Sequence, residues 1–406
     1  MGVREGYKQT EVGIIPEDWE VSALSEIGFP LIGLTYKPEN VATEGTLVLR
    51  SSNVQNGRLS FEDNVFVTSE VSERIHVKKG DILICVRNGS RNLIGKCAVI
   101  DFTSDKVTFG AFMSIFRTEM YSFIFQSFQS DILKRQIDNN IGATINQITN
   151  KNMAEFVIPL PPLPEQKAIA AALSDTDELI AGLEALVAKK RAIKQGAMQQ
   201  LLTGRKRLPG FTGEWEEKRL GDVASMSSGG TPSSSIALNY GGSIPWVSIS
   251  DMTQGGKWLV DTERKLTLMG LNSSAAKIFK APVLLYAMYA SIGECCLCSF
   301  DVSTSQAILS ITVLPSLSME YLFYWMNGQK EEIKALGQQG TQSNLNKQIV
   351  QNFELVLPSY AEQQAIAAVL SDMDAEIESL EEQLGKTRAL KQGMMQELLT
   401  GRIRLV

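Results

Sequence analysis

Residues 165–208 and 362–405 of this 406-residue chain are copies of one another, aligned at an offset of 197 without a gap. The first reads EQKAIAAALSDTDELIAGLEALVAKKRAIKQGAMQQLLTGRKRL and the second EQQAIAAVLSDMDAEIESLEEQLGKTRALKQGMMQELLTGRIRL. In both, one set of positions recurs in alternating steps of four and three. The first set is Ile169, Leu173, Thr176, Ile180, Leu183 and Val187; the second is Ile366, Leu370, Met373, Ile377, Leu380 and Leu384. This is a heptad seam, narrower than the apolar stripe of an ordinary surface helix. Such a seam needs a helical partner, and two matched helices most simply pair with each other. As one unbroken helix, residues 165–202 would span roughly 57 Å and hold flanking domains far apart.

The repeat continues outside the helices. Residues 14–24, around Trp19, match residues 210–220, around Trp215, at an offset of 196. Leu49-Arg50-Ser51 parallels Val247-Ser248-Ile249, and Lys79-Gly80-Asp81-Ile82 parallels Lys280-Ala281-Pro282-Val283. Ile94-Gly95-Lys96-Cys97 parallels Ile292-Gly293-Glu294-Cys295, and Gly110-Ala111-Phe112 parallels Gln306-Ala307-Ile308. Each half then has an aromatic helical stretch (121–137 and 319–336), a polar loop (142–146 and 340–344) and a Pro-bearing entry to the long helix (159–164 and 357–360).

The expected organisation is a first globular domain at 1–158, a helix at 159–208, a second domain at 209–355 and a helix at 356–406. The fold class is α+β: two mixed α/β domains separated by two long antiparallel coiled-coil helices, with an internal pseudo-twofold repeat. The Trp19 segment opens the chain, whereas its counterpart follows the first helix directly. The repeat therefore closes only if the chain ends meet.

No apolar run reaches the length of a membrane span, and the polar N-terminus does not read as a signal peptide, which points to the cytoplasm. The five cysteines read as buried, reduced thiols, because Cys295, Cys296 and Cys298 lack the spacing of a zinc site. A net charge of −6 excludes a generally basic nucleic-acid binder. The acid is segregated, however: residues 362–382 hold seven acidic side chains and no basic one, while residues 21–150 balance 13 against 13. A DNA-binding face fits within that neutral region.

Catalytic equipment is sparse. His76 is the only histidine, in a strand-like charged stretch, so no Ser/His/Asp or Cys/His set can occur in both halves. Residues 89–97 imitate a phosphate-binding loop but carry one residue too many between the glycines and Cys97 in place of Ser or Thr. Glu62-Asp63 and the Asp372/Asp374 pair read as solvated. The features left are loops suited to DNA. In the first domain Arg87, Asn88, Ser90, Arg91, Asn92 and Lys96 are residue types that reach base edges and phosphates. In the second domain the candidates are Thr231, Ser233 and Ser234, from an uncharged Ser/Gly loop that composition alone reads as a flexible linker, with Tyr289 and Ser291. A shared scaffold with different side chains at matching tips is what two readers of different sequences require.

These residues resemble the specificity (S) subunit of type I restriction–modification systems over nearly the whole chain. The marks are P-L-P-P-L-P-E-Q-K-A-I-A from Pro159, L-P-S-Y-A-E-Q-Q-A-I-A from Leu357, and the L-L-T-G-R that ends each copy. S-G-G-T-P-S from Ser228, I-P-W from Ile244, G-D-I-L from Gly80 and the segment from Tyr7 to Glu20 add to them. The second half departs at Ala281-Pro282, where Gly-Asp is usual, and Glu294 replaces Lys96, so no phosphate contact is expected there.

The resemblance implies a non-catalytic subunit whose two target recognition domains each read half of a bipartite, asymmetric double-stranded DNA sequence. It implies that the helices set the spacer and dock two modification (methyltransferase) subunits, with restriction subunits joining the larger complex. S-adenosylmethionine, ATP and magnesium would then belong to those partners, with none bound by this chain. Two other readings stay open: a self-contained DNA-modifying or cleaving enzyme with fused recognition domains, and a coiled-coil adaptor that binds no DNA.

Overall fold

A computed structural model describes residues 4–141, 146–254, 256–289, 291–333 and 345–405. The chain forms two compact units, Met1–Glu184 with Gln383–Val406, and Ala185–Glu382. Each unit therefore takes part of both long helices, which run Leu163–Leu201 and Tyr360–Leu398, 39 residues each. The polar loops expected at 142–146 and 340–344 lie, apart from Asn146, outside the described residues.

In the first unit a four-stranded antiparallel sheet runs Cys97–Val99, Ile82–Cys85, Met113–Arg117, Phe29–Ile32. Every residue of Ile82–Cys85 is buried, as a short unbroken apolar run between turn signals predicts. Its entry is fixed by Asp81, which accepts from the Lys78 N–H at 2.8 Å and takes a bidentate bond from Arg117 at 2.7 Å on each oxygen. A second sheet pairs Val107–Phe109 parallel to Thr46–Leu49, followed by Phe66–Val67 and Val41–Ala42. Glu20–Ala23 pairs with Val157–Leu160 just before the first long helix.

The second unit repeats this plan by itself. Its four-stranded sheet runs Cys295–Cys298, Val283–Ala287, Ile308–Val313, Ala224–Ser228. Tyr240–Val247 pairs parallel to Ser303–Thr304, and Glu216–Arg219 pairs with Glu354–Leu357. Where Ala281-Pro282 replaces the Gly-Asp turn, Asp301 takes over: it accepts from the Ala281 N–H at 3.1 Å and from Lys280.

All twelve seam residues are buried or half-buried, but the ends of the seam are more than a coiled coil. Ile169 and Leu173 join Leu398, Leu399 and Trp19 in the core of the first unit. Ile366 and Leu370 join Met198, Leu201 and Leu202 in the core of the second. Between these ends Leu183, Val187, Ile377 and Leu384 are buried, while Ile180, Met373 and Leu380 are half-buried. The helices run antiparallel within each unit. In the first, Asp177 meets Lys391 and Glu184 meets Arg388; in the second, Lys194 meets Asp374 and Arg191 meets Glu381.

Both copies of L-L-T-G-R end their helix on a glycine at positive φ, 70° at Gly204 and 69° at Gly401. A Cβ on Gly401 would lie 2.4 Å from the Pro16 ring. The reversal delivers Arg404 to Glu165 and, in the other unit, Arg207 to Glu362. Each guanidinium also lies over a tryptophan, 5.7 Å from the Trp19 ring and 5.6 Å from the Trp215 ring. The Tyr7 hydroxyl donates to the Gly401 carbonyl at 3.0 Å, so the first unit joins the two chain ends where the second has a continuous chain. The glutamines of the E-Q signature hold the Pro-bearing entries: Gln166 donates to Pro161 O at 2.8 Å, and Gln363 to Pro358 O at 3.0 Å.

Two expectations are corrected. The stretch 121–137 is two helices, Tyr121–Phe128 and Asp131–Asn140, because the Ser130 side chain caps the second and stops the first from continuing. Its counterpart begins as Met319–Gly328, capped by Ser318, and residues 334–336 lie outside the described residues. His76 is not in a strand: it follows the short 3₁₀ turn Glu73–Ile75, and its N–H bonds to Glu73 O at 3.3 Å.

Candidate nucleic-acid interface

The loop from residue 87 to 96 leaves the buried strand Ile82–Cys85 and returns through Gly95, whose φ is +84°. It forms one surface with two other segments. Asn88 donates to the Ser51 hydroxyl at 3.2 Å, and Lys96 to the Ser51 carbonyl at 3.4 Å. Asn146 donates to the Gly89 carbonyl at 3.0 Å, and Arg87 bridges to Gln147. Asn88 Oδ1 accepts the Ser90 N–H at 2.9 Å, which shapes the tip. Arg91 turns away toward the Asp138 carbonyl at 2.8 Å. Ser90, Arg91 and Asn92 are exposed. The loop thus brings Arg87, Asn88 and Lys96 together with Ser51 and Asn146, and sets Arg91 against the neighbouring helix.

The Ser/Gly loop of the second unit is not the flexible linker that composition suggests. A Cβ on Gly229 would lie 2.0 Å from Thr304 O, and one on Gly230 would lie 2.5 Å from the Ala275 carbonyl carbon. Only glycine lets the loop pass that close. The Gly230 N–H bonds to Thr304 O at 2.9 Å, and its carbonyl accepts from the Trp246 indole at 3.0 Å, joining S-G-G-T-P-S to I-P-W. The Tyr240 hydroxyl donates to Pro232 O at 2.7 Å and the Asn239 amide to Ser233 O at 3.1 Å. On this support Thr231, Ser233 and Ser234 are exposed, with Thr231 donating to Gln306. Tyr289 is half-buried against the core, and the Ser291 carbonyl closes the turn to Glu294, so these two sit apart from the Ser/Gly loop in their contacts.

The sequence reading missed a segment here. Leu34 N–H bonds to Phe109 O at 2.7 Å, as Gly230 N–H bonds to Thr304 O. Gly33 is as tightly confined as Gly229, with a Cβ position 2.3 Å from Gly110 O. Residues 33–37 (Gly33-Leu34-Thr35-Tyr36-Lys37) are therefore the first unit's version of the Ser/Gly loop. The offset of 196 that aligns Trp19 with Trp215 also aligns Gly33 with Gly229 and Thr35 with Thr231, a signal present in the sequence.

Chemically these surfaces offer hydrogen-bond donors and acceptors. Burial raises the Cys97 and Cys296 thiols to about 12, which keeps both protonated and unreactive at neutral pH. All five cysteines are buried and free. Among the described residues no three His, Cys, Asp or Glu side chains are placed to hold a metal ion. No helix among them is long and apolar enough to cross a membrane.

The model of the type I restriction modification DNA specificity domain matches twice, over residues 16–194 and 212–386. A putative type I restriction enzyme MjaX specificity subunit from Methanocaldococcus jannaschii is 26% identical over 99% of this chain and 97% of its own length. The EcoKI specificity subunit of Escherichia coli K12 is 33% identical over 45% of this chain and 40% of its own. A solved type I restriction–modification S subunit from M. genitalium shares the fold, with a TM-score of 0.62 at 14% identity and 98% coverage of both chains. A chain from a type I R-M system, solved in a study of its assembly and conformational transition, gives 0.61 at 19% identity, covering 96% of this chain and 99% of its own. With two matched domains that together span most of its length, the chain belongs to the type I restriction–modification DNA specificity family.

Proposed function

We propose that each compact unit reads one half of a bipartite, asymmetric double-stranded DNA target, as a subunit that catalyses nothing itself. The observation that carries this is the unequal decoration of an equal scaffold. Gly95 and Gly293 share a positive φ of 84° and 85°, yet the next residue is Lys96 in one unit and Glu294 in the other. Lys96 reaches across the loop surface, whereas Glu294 is paired with Lys330. A duplicated catalytic site would keep its side chains; a pair of readers must change them.

In this reading the duplicated helices serve the part of the work that is the same in both halves. They set the spacer and dock two modification (methyltransferase) subunits, with restriction subunits completing the complex in the cytoplasm. S-adenosylmethionine, ATP and magnesium are held by those partners. Methylation sequencing of DNA exposed to the assembled complex tests the proposal. The expected result is two unlike half-sites separated by a fixed spacer. Arg87→Ala should alter the first unit's half-site and leave the other unchanged. A single uninterrupted motif, or methylation or cleavage by the purified chain alone, would overturn it.

A further inference from the structure

Phe112 stands out among the large exposed apolar side chains because of what covers it. It sits at the turn closed by Met113 N–H on Gly110 O at 2.8 Å, and it remains 56% exposed. The Arg87 guanidinium lies over its ring, 4.9 Å from the centroid. The two backbones are locked as well: Phe112 O accepts from Val86 N–H at 3.0 Å and from Arg87 N–H at 3.1 Å. Among the described residues no side-chain hydrogen bond or ion pair takes up the Arg87 N–H groups. A planar fork of donors is thus held on an aromatic platform with its edges free. Around it stand Asn88, Asn146, Lys96 and Ser51, all polar. In the second unit Met288 N–H bonds to Ala307 O at 2.9 Å as Val86 N–H bonds to Phe112 O, so Ala307 stands where Phe112 does and Tyr289 where Arg87 does. The device belongs to the first unit alone.

We infer that Phe112 and Arg87 together read a guanine that has a thymine as its neighbour. Two planar groups, one above the other, meet two successive base pairs at the groove edge. The guanidinium matches guanine O6 and N7 as a bidentate pair, and the ring meets the 5-methyl group of the adjacent thymine. A lone exposed phenylalanine would need no explanation. Stacking explains this one twice, since the ring orients the arginine and also offers an apolar surface beside a polar loop cluster. Preorganisation matters because an arginine free to rotate loses side-chain entropy when it docks.

The inference rests on the first unit binding DNA, and the test separates the two. The assembled complex is titrated with duplexes of its own methylated target. In these duplexes each first-half-site thymine is replaced in turn by deoxyuridine, and each guanine by 7-deazaguanine. One deoxyuridine position should weaken wild-type binding about fourfold, the effect of one buried methyl, and should have no effect on Phe112→Ala. The adjacent 7-deazaguanine should weaken wild type about tenfold and leave Arg87→Ala unchanged. Phe112→Leu should keep the deoxyuridine effect, because an apolar contact remains. If deoxyuridine weakens Phe112→Ala as much as it weakens wild type, or if Phe112→Ala binds like wild type, the reading head is wrong while DNA recognition stands. A wild-type complex without sequence preference would instead overturn the function proposed above. Unchanged recognition of the second half-site by each variant shows that the fold is intact.

Discussion

Arg404 closes a bidentate ion pair on Glu165, 239 residues back along the chain, with bonds of 2.7 and 2.8 Å. Glu165 sits at the start of the first long helix with its side chain only 1% exposed, and it also accepts from the Trp19 indole at 2.9 Å. A buried carboxylate is tolerable only while its lone pairs are filled. Arg404→Met should therefore destabilise the first unit by about 3–5 kcal/mol. Denaturant unfolding, with hydrogen exchange of residues 4–24 as the local probe, measures it. Adding Glu165→Gln should restore part of the loss, since the uncompensated charge is then gone. No recovery in the double variant would mean that the arginine acts through packing on Trp19 alone.

The same pair sets a pH dependence. Burial alone would raise the Glu165 carboxyl, but the bonds from Arg404, Trp19 and the Leu405 N–H outweigh it and hold the pKa below the ordinary 4.5. Asp18 is lowered from 3.8 chiefly by its bond to Arg404. For acids depressed in the folded state, the stabilisation is complete above the unfolded pKa and is lost as pH falls through the folded one. Stability should thus be flat from neutrality to about pH 5 and decline below that. The acid limb should be shallower in Arg404→Met. Equal slopes in the two proteins would remove this cluster as the source.

Gly230 makes a prediction that distinguishes the units. A methyl there would meet the Ala275 and Ala276 backbone at 2.5 Å, and backbone cannot rotate aside. Gly230→Ala should cost about 1–3 kcal/mol by overpacking and shift the loop that carries Thr231 and Ser233. Methylation sequencing should then show the second unit's half-site relaxed or lost, with the first preserved. Gly89, with nothing within 4 Å of its Cβ position, is the control: Gly89→Ala should leave stability unchanged.

Much of this was legible in the sequence because the duplication is a comparison built into the chain. Two heptad copies announced the two long helices, since a seam has one periodicity and the Pro-bearing entries and Gly204 or Gly401 punctuate it. The loops were less legible because their shape is set by distant contacts. Nothing near Gly230 in sequence announces Thr304, Ala275 or Trp246, so a Ser/Gly run read as slack when it is braced on three sides. Arg87 was recognisable by type, but Phe112, 25 positions away, was not, because exposure of an aromatic follows from sheet register rather than from its neighbours. The break at Ser130 was hidden for the opposite reason: apolar residues on both sides kept helical spacing through a cap.

The polar interruptions of the seam carry the last prediction. Lys391 bonds Asp177 at 2.7 Å with its side chain 10% exposed, and it also donates to Gln129 Oε1 at 3.1 Å. The repeat-related Lys194 pairs with Asp374, which also accepts from the Tyr324 hydroxyl at 2.7 Å. Each lysine thus ties a helix of the pair to its neighbour, and slipping one helix by a heptad would bury the lysine without its aspartate. Removing one partner leaves that situation in the native register. Asp177→Ala should cost about 3 kcal/mol, while Asp177→Leu with Lys391→Met should recover most of it, because apolar side chains of similar size fill the same space. A double-mutant cycle on the unfolding free energy gives the coupling directly. If the double variant is as stable as wild type yet the complex methylates targets with more than one spacer, the ion pair is there to fix register rather than to add stability.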